Sequence, residues 1–202
     1  MEAFRPFTSV AAAMPAPDID TDQIFPARFL KKTRKQGLGQ FLFNDLRYDE
    51  DGSERAGFVL NQPRYRQARI LVAERNFGCG SSREQAVYTL FDFGIRSVIA
   101  PSFGDIFFNN CFKNGLLPIP LAPAVVATLL ALIRNMPGIE FRIDLEGQNV
   151  SAPDGPRYRF EIDPLRKQSL LQGMDEIDFT LGYSGSIDRF EREQEAGMDW
   201  PR

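Results

Sequence analysis

The residues most able to do chemistry stand together in one nine-residue stretch, 76–84, which reads Asn-Phe-Gly-Cys-Gly-Ser-Ser-Arg-Glu. It follows a short apolar segment that predicts a strand and precedes an amphipathic segment that predicts a helix. The hydroxyls of Ser81 and Ser82 and the guanidinium of Arg83 are therefore expected where the unpaired N–H groups of a helix start favour an anion. The stretch predicts a site for chemistry on a negatively charged substrate.

A serine in this position could act as a base. Serine is a very weak acid, so it removes a proton from carbon only as an alkoxide. The N–H groups of a helix start and the neighbouring Arg83 both favour that ionised form. The alternative is that Ser81 and Ser82 only cap the helix, while the glycines form a tight turn. The residues alone leave both interpretations open.

Better-known glycine and serine motifs do not fit this stretch. Arg83 replaces the third glycine of a dinucleotide-binding loop, and the Lys-Ser/Thr ending of a phosphate-binding loop is absent. The chain contains no histidine, which removes the usual activator of a serine nucleophile. Its absence also removes the commonest general base and the commonest metal ligand. Catalysis by this chain alone would have to use other side chains.

Two further polar segments are candidates for the same site. Asp18, Asp20 and Asp22 alternate beside two prolines, either as groups that face the pocket or as a turn rich in aspartate. A calcium loop is excluded because Gln23 occupies the position that requires glycine. The basic run 31–35 predicts a mobile, solvated surface loop, or else a lid that helps to select a carboxylate substrate.

The cysteine content argues against a metal centre in this chain. Cys79 and Cys111 are far apart in sequence, and no histidine is present to complete a zinc site. Two thiols are also too few for an iron–sulfur cluster. We expect reduced thiols and a cytoplasmic protein. Cys79 is either a reactive thiol at a helix start or a small packing residue.

Length and charge limit the classes of protein further. A chain of 202 residues predicts one compact domain, and its net charge of -3 gives no general attraction to nucleic acid or to an anionic membrane. No run reaches the roughly 18 apolar residues that a membrane span needs. The first residues, 1–6, lack the pattern of a signal peptide. We expect no nucleic-acid partner and no membrane partner.

The remaining pattern predicts an α/β fold with a mixed sheet. Strands are expected at 69–73 and 96–100 with a helix over 82–93 between them, which is a βαβ unit. The other predicted elements are a short helix over 41–48, a helix capped by Ser102 that runs to about Lys113, a strand over 116–119, a helix over 124–135, alternating strands over 141–145 and 158–162 with a turn over 153–156, a helix from Asp163 to Gly173, and a charged tail helix over 186–196. The phenylalanines at 103, 107, 108 and 112 have helical spacing and predict core positions.

Four blocks of this sequence resemble the small-subunit family of 3-isopropylmalate dehydratase. The blocks are 18–26, 77–84, 99–107 and 114–118, and their order and spacing match across nearly the whole chain. The resemblance implies the swivelling β/β/α domain of the aconitase superfamily, an α/β fold whose mixed sheet is flanked by helices. It would occupy residues 1–202, with a charged C-terminal tail from about residue 186.

The resemblance also implies an activity and a partner. In this family a separate large subunit carries a [4Fe–4S] cluster, one iron of which binds the substrate hydroxyl and a carboxylate, while the small subunit closes the site. The reaction isomerises 2-isopropylmalate to 3-isopropylmalate through 2-isopropylmaleate, in leucine biosynthesis. We therefore expect a small diacid substrate, a cluster-bearing large subunit and no cofactor bound by this chain.

Roles for individual residues follow from the same blocks. Ser81 matches the serine whose alkoxide removes the proton from carbon, and Ser82 and Arg83 match neighbours that bind a substrate carboxylate. Asp20 and Thr21 match a segment near the active site and are assigned to substrate binding. The region that the family links to substrate selectivity corresponds here to Leu30, Lys31, Lys32 and Thr33.

The chain departs from the family at two positions. Gln85 stands where many members carry histidine, and Gly104 stands where they often carry alanine. Gln85 is expected on the first helical turn, behind the catalytic groups, so the reaction type is unaffected. The departure keeps open a related small subunit that acts on another malate-type diacid, such as citramalate, a dimethylmaleate-type or a homoaconitate-type substrate. A third alternative is a non-catalytic anion-binding module.

Overall fold

A seven-stranded mixed sheet forms the centre of the computed structural model, which describes residues 1–152, 155–174 and 176–197. The strands are β1 (Phe7–Met14), β2 (Ile70–Ala73), β3 (Ser97–Ala100), β4 (Leu117–Pro120), β5 (Glu140–Asp144), β6 (Asn149–Ser151) and β7 (Arg157–Arg159). The helices are α1 (Thr21–Ile24), α2 (Asn44–Arg47), α3 (Glu84–Phe93), α4 (Asp105–Lys113), α5 (Pro123–Asn135), α6 (Pro164–Gln172), α7 (Glu176–Leu181) and α8 (Ser184–Gly197). Short 3-10 helices cover Ala27–Phe29, Arg34–Gln36, Leu38–Phe41, Val59–Asn61 and Pro63–Tyr65.

Strand β1 joins two differently built halves of the sheet. The strand order is β4-β3-β2-β1-β5-β6-β7. On one side β1 pairs in parallel with β2, with Ala11 opposite Ile70, and the pairing continues in parallel to β4. On the other side β1 pairs antiparallel with β5, with Phe7 opposite Ile143, and β6 and β7 follow antiparallel. The predicted α/β fold with a mixed sheet is confirmed.

The parallel strands are buried on both faces, which explains their continuous apolar sequences. Successive side chains of a strand point to opposite faces. Leu71 packs in the core layer formed with α3 and α4, whereas Ile70 and Val72 pack in the layer formed with α5 and α6. In β1, Ala12 packs in the same layer as Leu71, and Ala11 packs in the same layer as Ile70 and Val72. Both alanines are fully buried.

Sequence reasoning did not identify β1 as a strand. Its middle, Ala11–Ala13, is alanine, a residue depleted in strands, so propensity gave little signal. Helix α5 packs against β1 from one face, and the 3-10 helices Val59–Asn61 and Pro63–Tyr65 also contact β1. Small side chains allow these neighbours to come close to the central strand, and tertiary packing therefore outweighs propensity here.

Most other predicted elements are present, with shifts at their starts. Helix α3 begins at Glu84 instead of Ser82 and ends at Gly94, whose φ of 117° suits glycine. Helix α4 has Gly104, not Ser102, as its N-cap. The hydroxyl of Ser102 instead accepts a hydrogen bond from the backbone N–H of Asn76 at 2.9 Å. Asp163 caps α6 as predicted, since its carboxylate accepts from two N–H groups of the first turn.

The C-terminal third follows the prediction less closely. Strand β6 was not predicted, and β7 ends at Arg159 although the alternating pattern extended to residue 162. The predicted turn at 153–156 includes residues 153 and 154, which lie outside the described residues. The charged tail, predicted to be helical over 186–196, forms helix α8, whose residues 184–194 are exposed. Of the four phenylalanines predicted to be core, Phe107 and Phe112 are buried, and the other two are partly exposed.

The described part of the chain includes no helix with the length and apolar character required to cross a lipid bilayer.

Gly39 allows the segment after the basic loop to lie directly on the backbone of α3. A Cβ added at Gly39 would be 2.6 Å from the amide nitrogen of Phe93 and 2.8 Å from the carbonyl oxygen of Asp92. Both atoms belong to backbone, so neither can rotate away. Leu38, beside it, is 1% exposed. The approach fixes the end of the segment that carries residues 30–37.

We expect Gly39→Ala to lower the free energy of unfolding by about 1–3 kcal/mol, because the added methyl group overpacks a backbone contact. Urea unfolding followed by circular dichroism measures the change. Gly57→Ala is the matched control, since a Cβ at Gly57 meets no atom within 4 Å. Equal stability of the two variants would contradict this packing argument.

Candidate active site

Three loops meet at the edge of the sheet where the parallel strands β1, β2 and β3 end. In open α/β sheets, ligands bind in the crevice outside the carboxyl ends of the strands. The loop after β1 leads to Asp20 and Thr21, and the loop after β2 contains residues 74–83. The loop after β3 contains Ser102 and Gly104. The site residues that the resemblance predicted in the first two loops therefore lie at the same edge of the sheet.

Backbone hydrogen bonds join these loops beyond the ends of their strands. The N–H of Gly78 donates to the carbonyl of Ile19 at 2.7 Å, and the N–H of Thr21 donates to the carbonyl of Cys79 at 2.9 Å. On the other side, Phe77 donates to the Ser102 carbonyl at 3.1 Å and accepts from the Gly104 N–H at 2.9 Å. The middle loop is thus held between its two neighbours.

Glycines make this close approach possible. Gly78 has a φ of 74°, and a side chain there would run into the ring of Phe107. A Cβ at Gly104 would lie 2.6 Å from the carbonyl oxygen of Gly78 and 2.9 Å from the Cα of Cys79. The absence of a side chain at Gly104 therefore lets the third loop lie directly on the second.

The two serines are exposed and do not cap α3. The N-cap residue is Arg83, which makes no side-chain capping hydrogen bond. The capping alternative for Ser81 and Ser82 is therefore wrong, because the helix begins one residue beyond Arg83. Both hydroxyls lie in the loop that precedes the helix and are open to a ligand.

Thr21 is the residue that holds Ser81. Its side chain is almost inaccessible, with the residue 2% exposed. Its hydroxyl donates to the carbonyl oxygen of Ser81 at 3.0 Å, and the two hydroxyl oxygens are 3.3 Å apart. The burial favours a supporting role for Thr21 over direct contact with a substrate.

Arg83 is mostly enclosed and already has an anionic neighbour. Its side chain is 16% exposed, and its guanidinium forms an ion pair with Asp22 and donates to the carbonyl of Phe25 at 3.2 Å. The hydrogen bond from Arg83 is the main cause that lowers the pKa of Asp22, followed by the hydrogen bond from the backbone N–H of Ala27. Asp22 therefore stays ionised at neutral pH and links Arg83 to the segment that leads to the predicted selectivity loop.

The three aspartates have different surroundings. Asp20 caps α1, since its carboxylate accepts from the N–H groups of Asp22 and Gln23 at 2.9 and 2.7 Å. Asp18 accepts from the side-chain amide of Asn76 at 2.8 Å. Only Asp22 contacts Arg83 among them. The sequence offered Asp22 as one of three acidic candidates for the site, and the resemblance gave it no role of its own although it lies in the same block as Asp20 and Thr21.

The predicted selectivity loop is exposed. The four residues Leu30 to Thr33 lie on the surface, with Leu30 39% exposed. The segment just before them is fixed by Phe29, whose ring stacks on Phe41 with centroids 4.5 Å apart. Just after them, Arg34 forms an ion pair with Asp92 of α3 at 2.7 Å. The basic loop is solvated, as predicted, and is anchored at both ends.

Cys79 does not have the surroundings of a reactive thiol. It lies five residues before α3 begins, so the helix start does not stabilise its thiolate. Burial is the main cause that raises the pKa of this thiol, and the nearby carboxylates of Asp20 and Asp18 raise it further. The packing interpretation of Cys79 is favoured. The described residues contain no group of three or more His, Cys, Asp or Glu side chains able to hold a metal ion.

Comparisons with known proteins agree on one family. The model of the aconitase C-terminal domain matches residues 1–124, and the LeuD_N model matches residues 127–164. The chain is 54% identical over 200 residues to the 3-isopropylmalate dehydratase small subunit of Gluconacetobacter diazotrophicus, which covers 99% of this chain and 97% of that one. It is 52% identical to the small subunit of the same name from Rhodospirillum centenum, at 99% and 98% coverage.

A solved structure has the same fold. The crystal structure of 3-isopropylmalate dehydratase from Methanocaldococcus jannaschii aligns with a TM-score of 0.66 and 26% sequence identity, over 93% of this chain and 99% of the other. The fold and the four sequence blocks thus indicate the same family as the sequence identities do. The chain belongs to the small-subunit family of 3-isopropylmalate dehydratase, within the aconitase superfamily.

Proposed function

We propose that this chain is the small subunit of a hydro-lyase that isomerises 2-isopropylmalate to 3-isopropylmalate through 2-isopropylmaleate, in leucine biosynthesis. The observation that carries the proposal is the placement of Ser81. This exposed residue lies on the same loop as Arg83, and the buried Thr21 holds it from a neighbouring loop. The names of the relatives support this substrate over the other malate-type diacids.

Ser81 is assigned as the base that removes the proton from the substrate carbon. The proton passes to Ser81 Oγ, which must be an alkoxide beforehand, and the electron pair of the broken C–H bond forms the double bond as hydroxide leaves the adjacent carbon. Ser82 and Arg83 are assigned to a substrate carboxylate, because both stand beside Ser81 and Arg83 supplies a cationic hydrogen-bond donor. Asp20 fixes the turn that carries Thr21.

The other half of this site belongs to a large subunit. Neither Cys79 nor Cys111 lies in a set of side chains that could hold an iron–sulfur cluster, so this chain does not fit as its carrier. We assign the [4Fe–4S] cluster to the large subunit, where it would act as the Lewis acid for the leaving hydroxyl group. The proposed location of the assembled enzyme is the cytoplasm.

A non-catalytic anion-binding module is less well supported by the contacts of Arg83. Its guanidinium is already paired with Asp22 and hydrogen-bonded to Phe25, so in this chain alone it offers an anion little uncompensated positive charge. Tight binding of a diacid by this chain alone is therefore not expected.

The direct test of the proposed function uses Ser81→Ala in the complex reconstituted anaerobically with the large subunit. We expect kcat for 2-isopropylmaleate hydration to fall about 10²- to 10⁴-fold, the usual contribution of a positioned general base. Ser186→Ala, an exposed change on α8, is the control and should keep full activity. Normal turnover by Ser81→Ala would exclude Ser81 as the base.

Asp22→Asn tests how Arg83 is held. We expect kcat/KM to fall about 10- to 100-fold because the guanidinium loses its charged partner and its fixed position. Arg83 lowers the pKa of Asp22, so the ion pair is present above the ordinary aspartate range and is lost only as pH falls through the lowered pKa. The shape of the pH–rate profile above about pH 6 should therefore be unchanged.

The control for this variant is Glu54→Gln, which removes the carboxylate of another surface ion pair, with Arg66. It should leave kcat/KM unchanged, because a fully exposed ion pair contributes little to stability. If Asp22→Asn behaves like Glu54→Gln in the steady-state assay, then Asp22 does not position Arg83.

Leu30→Ala tests the assigned selectivity loop. If Leu30 contacts the alkyl group of the substrate, the ratio of kcat/KM for isopropyl-substituted over methyl-substituted diacid should fall about tenfold, since each methylene in a pocket contributes about 1–3 kcal/mol. Leu165→Ala, another exposed leucine, at the start of α6, is the control. An unchanged ratio would remove Leu30 from the substrate-selectivity residues.

A further inference from the structure

Thr21 is buried at a point where it can act only through its neighbours. It is the first residue of α1, and the residue is 2% exposed. Its backbone N–H is used in the hydrogen bond to the Cys79 carbonyl. Its side chain is β-branched, which restricts rotation about χ1 and keeps the hydroxyl oxygen in place. The only group of Thr21 left for a chemical role is therefore one hydroxyl in a fixed position.

That hydroxyl faces two oxygen atoms of Ser81 but carries one hydrogen. In the structure it donates to the Ser81 carbonyl at 3.0 Å, while the Ser81 hydroxyl oxygen lies 3.3 Å away. The same carbonyl also accepts from the backbone N–H of Arg83 at 2.8 Å. Because the carbonyl keeps that second donor, the Thr21 hydrogen can turn to the Ser81 hydroxyl oxygen without leaving a buried acceptor unpaired.

We propose that Thr21 is a positioning residue that donates its hydroxyl hydrogen to Ser81 Oγ when that oxygen becomes an alkoxide. Neutral Ser81 can donate its own hydrogen to Thr21 Oγ1. Once ionised, Ser81 Oγ has no hydrogen and requires a donor, which Thr21 supplies by rotating about its C–O bond. The hydrogen stays bonded to Thr21, and Ser81 Oγ remains free to take the proton from the substrate carbon. This inference rests on the proposed role of Ser81 as the base.

The loop around this pair lies in van der Waals contact with Thr21. Gly80 has a φ of 93°, and a Cβ there would lie 3.5 Å from Thr21 Oγ1 and 3.5 Å from the Cβ of Asp20. The charged groups nearby are already engaged with other partners: Asp20 with the first turn of α1, and Asp22 with Arg83 and Ala27. The remaining titratable neighbour, Cys79, has a raised pKa and is neutral. Thr21 is therefore the side-chain donor that the described contacts place at Ser81 Oγ.

The test compares Thr21→Val and Thr21→Ser in the reconstituted complex. Valine keeps the shape and removes the hydroxyl, so we expect kcat to fall about 10- to 100-fold, as for the loss of one hydrogen bond to a charged group. KM should stay within about threefold, since Thr21 is enclosed and would act through Ser81. The pH at which kcat reaches half its maximum should rise, because the alkoxide is less stabilised. Serine restores the donor and should recover most of the activity.

Two further measurements separate this role from a structural one and from the proposed function itself. In a Ser81→Ala background, Thr21→Val should cause no additional loss, because Thr21 acts through Ser81. Urea unfolding should show both Thr21 variants folded. Equal losses in the valine and serine variants, or wild-type kcat and pH profile in Thr21→Val, would overturn the inference. If Ser81→Ala is fully active, the proposed base itself is wrong, whatever Thr21 does.

Discussion

The backbone hydrogen bonds that continue the sheet past the ends of β1, β2 and β3 are the constraint on which the site depends. They hold the loop of Gly78 and Cys79 between the loops of Ile19 and Ser102, so the loop cannot move independently of the sheet. The exposed serine is thereby placed by the rigid part of the molecule. The role of base that we propose for Ser81 requires a position fixed to within about 0.5 Å, which a free loop would not provide.

The parts of the fold that the sequence could predict are those with strong local signals. The apolar strands before α3 and α4, the proline at the start of α5 and the aspartate cap of α6 all lie where their residues indicated. Strand β1 has an alanine-rich centre, and only its neighbours make it a strand. The starts of α3 and α4 were displaced because Ser102 and the residues before Glu84 use their hydrogen-bonding groups between loops, a use that no local pattern encodes.

The candidate site was predictable as a set of residues, but not as an arrangement. Family resemblance selected five residues of this site, and the fold brings them together at one edge of the sheet: Asp20, Thr21, Ser81, Ser82 and Arg83. Sequence could not show that Thr21 is enclosed, because burial depends on loops that are 60 residues apart in the chain. Nor could it pair Asp22 with Arg83. Three aspartates at alternate positions of a turn are equivalent candidates until the path of the turn shows which one faces the arginine. Gln85 lies on the first turn of α3, as expected.

The ion pair between Arg83 and Asp22 limits how strongly this chain alone can attract a carboxylate. Together the two side chains carry no net charge, so an incoming carboxylate gains little from long-range attraction to them. We therefore expect this chain, without its large subunit, to bind free dicarboxylates weakly. In the complex that we propose, the large subunit would then supply most of the binding energy, and recognition of the substrate would depend on assembly.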